Sequence, residues 1–379
     1  MTRCRIRATK PEVVGVSRRR ARGRVAHLPA YNDPYQICLL KALGERGLDT
    51  GYGSSRVVWS WIDLSLLVTL VRQRGMRILH LHWQHPYLAG PGALAGIGKP
   101  IVFLAQVALL KLLGVRIVWT VHNLRDHEST DDRLEVFFSR VLAWMVDAVV
   151  AHSDHAKSEI VRLFRIKRAG KVHVIPHGSF ATYFPNTVSR ASARSSLGIA
   201  GDRSVFLFLG LVRPYKGVLE LIAAFKALKQ QDATLIIAGK SPRSKWAEEV
   251  EAACAEDPAI MLRLEFIPHE SVQVYMNAAD VVVTPYRDVL TTGGVILAMS
   301  FGKPVVAPAL GCIPEILDDA GGVIYPAGSG ENLLGALRSA LDARADWARM
   351  GAHNRALVEK LPWEHIAEDT LALYASLRN

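Results

Sequence analysis

Short apolar runs alternate with amphipathic stretches from Arg24 almost to the end of the chain. In the first half, five runs of strand length are rich in Val, Ile and Leu. They cover residues 24–30, 77–83, 115–122, 147–153 and 171–178. A helical pattern follows the first run and closes at Gly47. Apolar runs separated by helices predict parallel strands that are covered on both faces of the sheet.

The same alternation restarts after a polar, irregular segment at residues 179–200. The second half has predicted strands at 204–210, 233–239, 280–286, 303–308 and 321–326, with a helix at 218–228. We therefore expect an α/β protein of two Rossmann-like, doubly wound domains that face a cleft, at residues 24–190 and 191–361. Ligands of doubly wound sheets bind beyond the carboxyl ends of the strands.

Charge is concentrated at the start of the chain. Residues 1–24 hold nine basic side chains and one acidic one, a net +8 out of +11 for the whole protein. We expect residues 1–23 to form a basic, disordered tail. A basic arm can bind an anionic membrane surface or nucleic acid, or can simply be a solvated extension. It lacks the apolar core of a secretory signal.

Two further features bear on the compartment. The most apolar stretch, residues 101–120, is interrupted by Gln106, Lys111 and Arg116, so it does not predict a membrane span. The four cysteines are scattered, with no C-x-x-C pair, which favours a reducing compartment. We expect a cytoplasmic protein, and the basic tail suits a peripheral position on the inner face of the cell membrane.

Two segments of the second half have the chemistry of a phosphate site. In "FLGLVRPYKG" (208–217), a strand ends at Gly210, and Arg213 and Lys216 lie in the loop before a helix. Two cations beside a helix N-terminus can clamp a diphosphate, although an exposed loop with solvated charges would have the same sequence.

The second of these segments is "TTGG" (291–294). Thr291 or Thr292 can cap a helix, and Gly293 and Gly294 let backbone amides approach an anion closely. The alternative is an ordinary capped helix, but two glycines in a first turn cost roughly 1 kcal/mol each, which a close ligand would explain.

Chemistry is also expected at strand ends of the first half. His122, Asp126 and Glu128 lie where the predicted strand at 115–122 ends, and one of them can act as general base on a hydroxyl group. The alternative is a loop that caps the next helix. After the first strand, Tyr31 and Asn32 are candidates for contacting a second substrate, and Asp33 is expected to cap the helix that starts at Pro34.

The cluster "HLHWQH" (80–85) invites a metal interpretation, because His80 and His82 share one strand face. No carboxylate or cysteine stands at ligand spacing, and buried histidines can be satisfied by hydrogen bonds. We therefore predict no metal site.

Several motifs resemble glycosyltransferase family 4 and its relatives. They are "GLVRPYKG", "VIPHG" (174–178), "SFGKPVVAPALGCIPEIL" (300–317) and "WEHIAEDTLALY" (363–374), which together cover most of residues 170–379. The resemblance implies a GT-B fold and a nucleotide-diphosphate sugar bound by the second domain. It further implies no metal or other cofactor, and a C-terminal helix, residues 362–379, that packs back on the first domain. By position, Arg213, Lys216 and the amides near Gly293 would bind the donor diphosphate, with His122 near the reacting carbon.

One departure from family 4 affects the mechanism. The family's two glutamates, eight positions apart, are replaced here by Val289 and Leu297. The motifs "NDPYQ", "HLHW", "VHN…DHE" and "TTGG" are more similar to bacterial lipid-linked mannosyltransferases, including that of xanthan assembly. This resemblance implies an inverting transfer of mannose from GDP-mannose to a lipid-linked or exopolysaccharide-precursor acceptor. The alternatives are a retaining transferase that uses a UDP-sugar, a nucleotide-sugar epimerase, and a nucleic-acid-binding protein. We do not expect nucleic acid as a partner.

Overall fold

The computed structural model describes residues 23–31, 33–52, 76–88, 92–126, 132–242, 244–255 and 257–377. The predicted tail at residues 1–23 lies outside these ranges except for Gly23. Asn32 and Glu128, two of the candidate site residues, also lie outside them.

The first sheet has six parallel strands in the order β2-β1-β3-β4-β5-β6. The strands are β1 (Gly23–Leu28), β2 (Asp49–Tyr52), β3 (Met76–Leu81), β4 (Arg116–Thr120), β5 (Ala148–Ala151) and β6 (Val172–Val174). The described helices of this half are α1 (Pro34–Glu45), α2 (His85–Leu88), α3 (Gly92–Leu112), α4 (Asp132–Met145) and α5 (Asp154–Phe164), with a 3-10 turn at Ala169–Lys171.

The second sheet is also parallel and has the order β12-β11-β10-β7-β8-β9. Its strands are β7 (Ser204–Leu209), β8 (Ala233–Ala238), β9 (Ile260–Arg263), β10 (Val281–Val283), β11 (Val305–Pro308) and β12 (Gly322–Tyr325). The described helices are α6 (Arg190–Leu197), α7 (Val218–Leu228), α8 (Lys245–Cys254), α9 (Val272–Ala278), α10 (Gly293–Ser300), α11 (Ile313–Ile316), α12 (Gly330–Asp342), α13 (Trp347–Val358) and α14 (Trp363–Ser376). Short 3-10 turns lie at Pro214–Lys216, His269–Ser271 and Arg344–Asp346.

The two doubly wound units confirm the predicted fold class. Ten of the twelve strands coincide with the predicted apolar runs, and α7 has the predicted bounds. The two strands that the pattern missed, β2 and β9, are both edge strands. β2 reads DTGY, without an apolar run, and β9 is buried at only one of its four positions, so neither carries a strong apolar signal.

Local capping explains where the helices near the cleft begin. Asp33 accepts a hydrogen bond from the backbone N of Tyr35 at 2.9 Å and caps α1, with Pro34 in the first turn, as predicted. Thr292 caps α10 by accepting from the backbone N of Val295 at 3.2 Å. These caps fix the position at which each helix leaves the edge of its sheet.

The last helix joins the two halves. In α14, which follows the second domain, Tyr374 is fully buried and its hydroxyl lies 2.6 Å from Nδ1 of His80 in β3. The same helix packs against α1, and Glu368 pairs with Arg46 just beyond the end of α1. The chain therefore returns to the first sheet after completing the second. The boundaries at 190/191 and 361/362 stay predictions.

Candidate functional site

The loop that follows β7 is a tight turn that brings a cation to the carboxyl ends of the strands of the second sheet. Lys216 and Gly217 donate backbone hydrogen bonds to Arg213 and Pro214, at 3.0 and 3.2 Å. Gly217 has φ +69°, and a Cβ atom at this position would lie 1.9 Å from the carbonyl oxygen of Pro285. Only glycine fits so close to the loop that follows β10. The turn is thereby fixed against that neighbouring loop.

Lys216 is held over an aromatic ring beside the predicted phosphate site. Its Nζ atom lies 4.0 Å from the ring centroid of Tyr286 and 4.9 Å from that of Tyr215. Burial lowers the pKa of Lys216, and the neighbouring Tyr215 partly opposes that shift. A cation held in a partly desolvated place interacts strongly with an incoming anion.

Tyr286 connects this cation to the start of α10. A Cβ atom on Gly294 would lie 2.5 Å from the Tyr286 hydroxyl, so the glycine allows the phenol to pack against the helix start. The same hydroxyl hydrogen-bonds with Thr292, and burial raises its pKa to about 12. The amides of Gly293 and Gly294 have no acceptor within the helix. Lys216 and these amides thus form one compact, positive region, whose role as a diphosphate site stays a prediction.

Arg213 and Gly210 belong to the same turn. Gly210 ends β7 with φ +148°, and its carbonyl oxygen would lie 1.6 Å from a Cβ atom on Gly239, the residue after β8. Arg213 is half-buried in extended backbone at the start of the 3-10 turn. The glycines let the ends of β7 and β8 come close together.

The two domains meet at this region. Oγ1 of Thr291 donates a hydrogen bond of 3.0 Å to the backbone oxygen of His122, at the end of β4. A Cβ atom on Gly293 would touch His177 and Phe180, which lie between the two sheets along the chain. A further link joins α11 to α5: the Glu315 carboxylate accepts from two amides in the first turn of α5, at 2.9 and 2.6 Å. The positive region therefore lies where residues of the two domains meet, and we call this interdomain region the crevice.

The first domain lines this crevice with imidazole rings. Six histidines are buried at or next to strand ends, with ring centroids of neighbouring pairs 4.3 to 5.9 Å apart. They are His27, His80, His82, His122, His152 and His177. Burial lowers the pKa of every one, to about 3 for His27 and His177 and about 4 for His152. The rings are therefore neutral at physiological pH and act as hydrogen-bonding groups.

Three of these rings could approach a metal ion, since His27, His80 and His82 bring one nitrogen each within 4.8 Å of one another. Hydrogen bonds already account for most of the cluster. His27 Nδ1 and His82 Nε2 are 2.9 Å apart, and the two nitrogens of His80 contact the hydroxyls of Tyr374 and Thr120, at 2.6 and 2.7 Å. A cation would have to displace one of these partners from His80. The expectation of no metal stays a prediction.

His122 lies at the centre of the crevice. Its ring stacks on Trp83 with centroids 4.6 Å apart and meets the edge of Tyr35 at 4.8 Å. Its Nε2 atom is buried and has no hydrogen-bond partner among the described residues. The ring is thus fixed on two sides and retains one nitrogen without a hydrogen bond, which makes His122 a candidate for contacting a substrate.

A histidine–glutamate pair that sequence reasoning missed lies beside this group. His85, at the start of α2, places Nδ1 2.6 Å from a carboxylate oxygen of Glu135, and Glu135 is almost fully buried in α4. The same carboxylate accepts from the backbone N of Asp126 at 3.0 and 3.1 Å. Glu135 therefore fixes both His85 and the loop that carries Asp126. The spacing from 85 to 135 gives no sequence signal, because the contact joins two distant elements.

Tyr31 lies at the same end of the first sheet, beyond the carboxyl ends of its strands. Its ring is exposed and lies 5.1 Å from that of Trp83, and its backbone N donates to Gln36 Oε1 at 2.8 Å. Burial, followed by the charge of Asp126, raises the pKa of Tyr31. The structure thus brings Tyr31, Asp126 and His122 to one face of the first domain, and their proposed roles stay predictions.

Known families match both halves of this arrangement. Residues 29–179 match the family model described as Glycosyltransferase Family 4, and residues 203–343 match the model described as Glycosyl transferases group 1. The chain belongs to the GT-B glycosyltransferases. The positive region of the second domain accordingly belongs to a glycosyltransferase that uses a nucleotide-sugar donor.

Relatives of this glycosyltransferase differ in the substrates that their names state. A GDP-mannose:glycolipid 4-beta-D-mannosyltransferase of Xanthomonas campestris is 27% identical over 75% of the chain and 80% of the relative. An alpha-maltose-1-phosphate synthase of Mycolicibacterium smegmatis is 28% identical over 78% of each chain. These relatives therefore share the glycosyltransferase family but not one donor or one acceptor.

Solved structures share the fold of the glycosyltransferase. A sucrose-phosphate synthase from Thermosynechococcus elongatus superposes with a TM-score of 0.75 at 20% identity, covering 94% of this chain and 99% of the other. Anabaena HepE in complex with UDP and glucose superposes with a TM-score of 0.69 at 15% identity, covering 93% and 99%. Among the described residues, no helix has both the length and the apolarity to cross a membrane.

Proposed function

We propose that this glycosyltransferase transfers mannose from GDP-mannose to a lipid-linked saccharide at the cytoplasmic face of a membrane, with inversion at the sugar carbon. The observation that carries the proposal is the convergence of Lys216, Tyr286 and the start of α10 opposite His122, across a crevice closed by the Thr291–His122 hydrogen bond. One wall of this crevice is built for an anion and the other for hydroxyl chemistry.

The second domain would stabilise the departing diphosphate. Negative charge grows on the leaving group as the bond to the sugar breaks. Arg213, Lys216 and the amides of Gly293 and Gly294 would neutralise that charge, and a hydrogen-bond donor fixed in place before the reaction lowers the barrier by about 3–4 kcal/mol. This clamp requires no metal ion, because side chains and backbone supply the positive charge.

The first domain would supply the proton acceptor. Asp126 and His85 are the two candidates on the described edge, and Glu135 positions both of them. Glu128 stays a third candidate from the sequence. The low pKa of His122 makes it a poor proton acceptor, so we assign it to hydrogen-bonding the sugar near the reacting carbon.

The absence of a carboxylate at two positions supports inversion. Val289 and Leu297 occupy the places where family 4 relatives carry glutamates, and both pack against the apolar core of the second domain. A retaining enzyme of that family would use polar contacts there to hold the donor sugar. With two apolar side chains instead, direct attack by an activated acceptor hydroxyl is the simpler route.

Guanine and mannose are proposed from the Xanthomonas relative, whose name states GDP-mannose and a glycolipid. The competing donor is a UDP-sugar, which is favoured by the structural likeness to HepE in complex with UDP-glucose. A thermal-shift series with GDP, UDP, GDP-mannose and UDP-glucose separates the two. A ligand at about 100 times its Kd adds about 2.7 kcal/mol of stability. Stabilisation by UDP and not by GDP would overturn the proposed donor.

A further inference from the structure

Most of the exposed large apolar side chains among the described residues are gathered on two neighbouring helices. Seven of the ten lie on or next to α3 and α4, which pack against each other. They are Ile97, Ile101, Leu109, Leu112, Leu113, Phe137 and Trp144. Leu112 is 85% exposed and Trp144 is 82% exposed. Single exposed apolar residues are ordinary, but a row of them needs a partner.

The row follows the helical period. Ile97, Ile101 and Leu109 fall at intervals of four residues or multiples of four, so they occupy one stripe of α3 that faces away from the protein. The opposite face of the helix, with Phe103 and Val107, is buried in the first domain's core. The sequence of α3 contains two lysines and no acidic residue.

Basic residues lie near the C-terminal end of this stripe, where the strands of the first sheet begin. The exposed loop after α5, residues 165–171, reads RIKRAGK and contains four basic residues and no acidic one. Within it, Lys171 donates to the carbonyl oxygens of Ala143 and Trp144, at 2.7 and 3.0 Å. The basic loop is therefore held against the backbone at the end of α4, where the exposed Trp144 lies.

Strand β1, which follows the basic segment in the sequence, begins at this same end of the first sheet. Gly23 begins β1 and pairs with Met76 of β3, and the next residue of β3, Arg77, reaches the carbonyl oxygen of Leu113 at 3.5 Å. Residues 1–22 carry eight basic residues and one acidic one. The 165–171 loop thus places positive charge beside the apolar side chains at the end of α3.

We propose that the exposed faces of α3 and α4, together with the loop 165–171, form a docking surface for a bilayer of anionic lipid; we call it the basal surface. Tryptophan and leucine enter the interface between headgroups and acyl chains, while arginine and lysine pair with anionic headgroups. A protein partner would require acidic groups opposite the loop and an apolar groove for the stripe, whereas an anionic membrane supplies both.

The orientation that follows suits the proposed acceptor. The stripe runs along α3 from the edge where β3 ends, beside His82 and His85, to the edge where β4 begins. A membrane lying along this stripe would bring a lipid-linked saccharide to the acceptor side of the crevice. This consequence rests on the proposed function, whereas the docking itself is measured without donor or acceptor.

The test is co-sedimentation of the full chain with vesicles of phosphatidylcholine, with and without phosphatidylglycerol. We expect binding to the anionic vesicles only, weakened by salt. The double variant Leu112→Gln with Trp144→Gln should bind at least roughly tenfold less tightly. Phe266→Gln is the matched control, because Phe266 is 73% exposed but lies in the second domain. It should bind like the parent.

A second pair of variants tests the basic loop of the basal surface. Lys167→Glu with Arg168→Glu should reduce binding by roughly fivefold or more for each charge, and Lys226→Glu with Lys245→Glu, on the second domain, should not. Failure of the parent chain to bind anionic vesicles, or equal binding by the basal-surface variants, would overturn the proposal.

Light scattering and nucleotide binding distinguish a membrane surface from an interface between two copies of the chain. If the Leu112 and Trp144 variants change the mass of the protein in light scattering without lipid, the surface binds a second copy and the membrane proposal is wrong. Nucleotide binding should be the same in all these variants. If the protein binds vesicles but not GDP-mannose, the docking proposal stands and the proposed donor is wrong.

Discussion

The two sheets of this protein have the same parallel topology but end in different chemistry. The second sheet's strands run into glycine turns, at Gly210 and Gly239, and present a cation and helix amides. The first sheet's strands run into buried imidazoles and a histidine–glutamate pair. A shared fold therefore fixes where ligands bind, while the residues just beyond each strand fix what each half does. Backbone and fixed charge suit an anionic leaving group, whereas side chains that can take a proton suit a hydroxyl.

Removing the cation should have the largest effect. We expect Lys216→Ala to lower turnover by about 10²–10³, because the charge that develops on the leaving diphosphate loses a fixed partner. Lys226→Ala, on the exposed face of α7, is the matched control and should be unaffected. Steady-state kinetics with GDP-mannose and a soluble acceptor measure both. Normal turnover by Lys216→Ala would end the assignment of the second domain's turn as the diphosphate clamp.

Changes in the first domain should leave nucleotide binding intact. Asp126→Asn and His85→Gln remove one candidate proton acceptor each, and the variant that removes the true one should lower kcat by about 10² or more. Calorimetric titration with GDP should give the parent Kd in both cases. Weaker GDP binding in either variant would contradict the division of labour between the domains.

The buried imidazoles should make the protein sensitive to acid. Each has a folded-state pKa below the ordinary value of 6.5, so the unfolded chain binds more protons as the pH falls below 6.5. Stability is therefore constant above that pH and is lost below it, by up to about 2 kcal/mol for each ring at pH 5. Thermal melts at pH 7 and pH 5 measure the loss.

A pair of histidine variants localises this effect. His152→Asn removes one buried ring and retains a donor toward the backbone oxygen of Ile175, so its stability should depend less steeply on pH. His365→Gln changes an exposed histidine and should show the parent's pH dependence. Equal slopes in the parent and His152→Asn would show that the ring does not contribute.

Two glycines of the second domain should respond in opposite directions, with the smallest effects. Gly217→Ala forces a Cβ atom against the Pro285 carbonyl at a positive φ and should cost about 1–3 kcal/mol. Gly335→Ala lies in α12 with nothing within 4 Å and should stabilise by roughly 0.5–1 kcal/mol. Urea denaturation gives both values. A neutral Gly217→Ala would mean that the turn can move away from the neighbouring loop.

Much of the fold and half of the crevice followed from the sequence. Apolar runs of strand length predicted ten strands, and the glycines and cations near residues 210–217 and 291–294 predicted the positive region. These signals are local: periodicity, a cap or a turn needs only neighbours along the chain. The edge strands β2 and β9 have no comparable signal, because β2 lacks an apolar run and β9 is buried at only one of its four positions.

The other half of the crevice was decided by tertiary structure. The sequence alone determined that the first domain had histidines at its strand ends, but not that six of them would share one buried cluster, nor that Glu135 would hold His85. Those contacts join residues separated by tens of positions, and their chemistry depends on burial, which sets whether an imidazole is charged or neutral. The basal surface is a similar case. A stripe of isoleucine and leucine on a helix is typical of a buried core face, and only the packing shows which face of the helix is left uncovered.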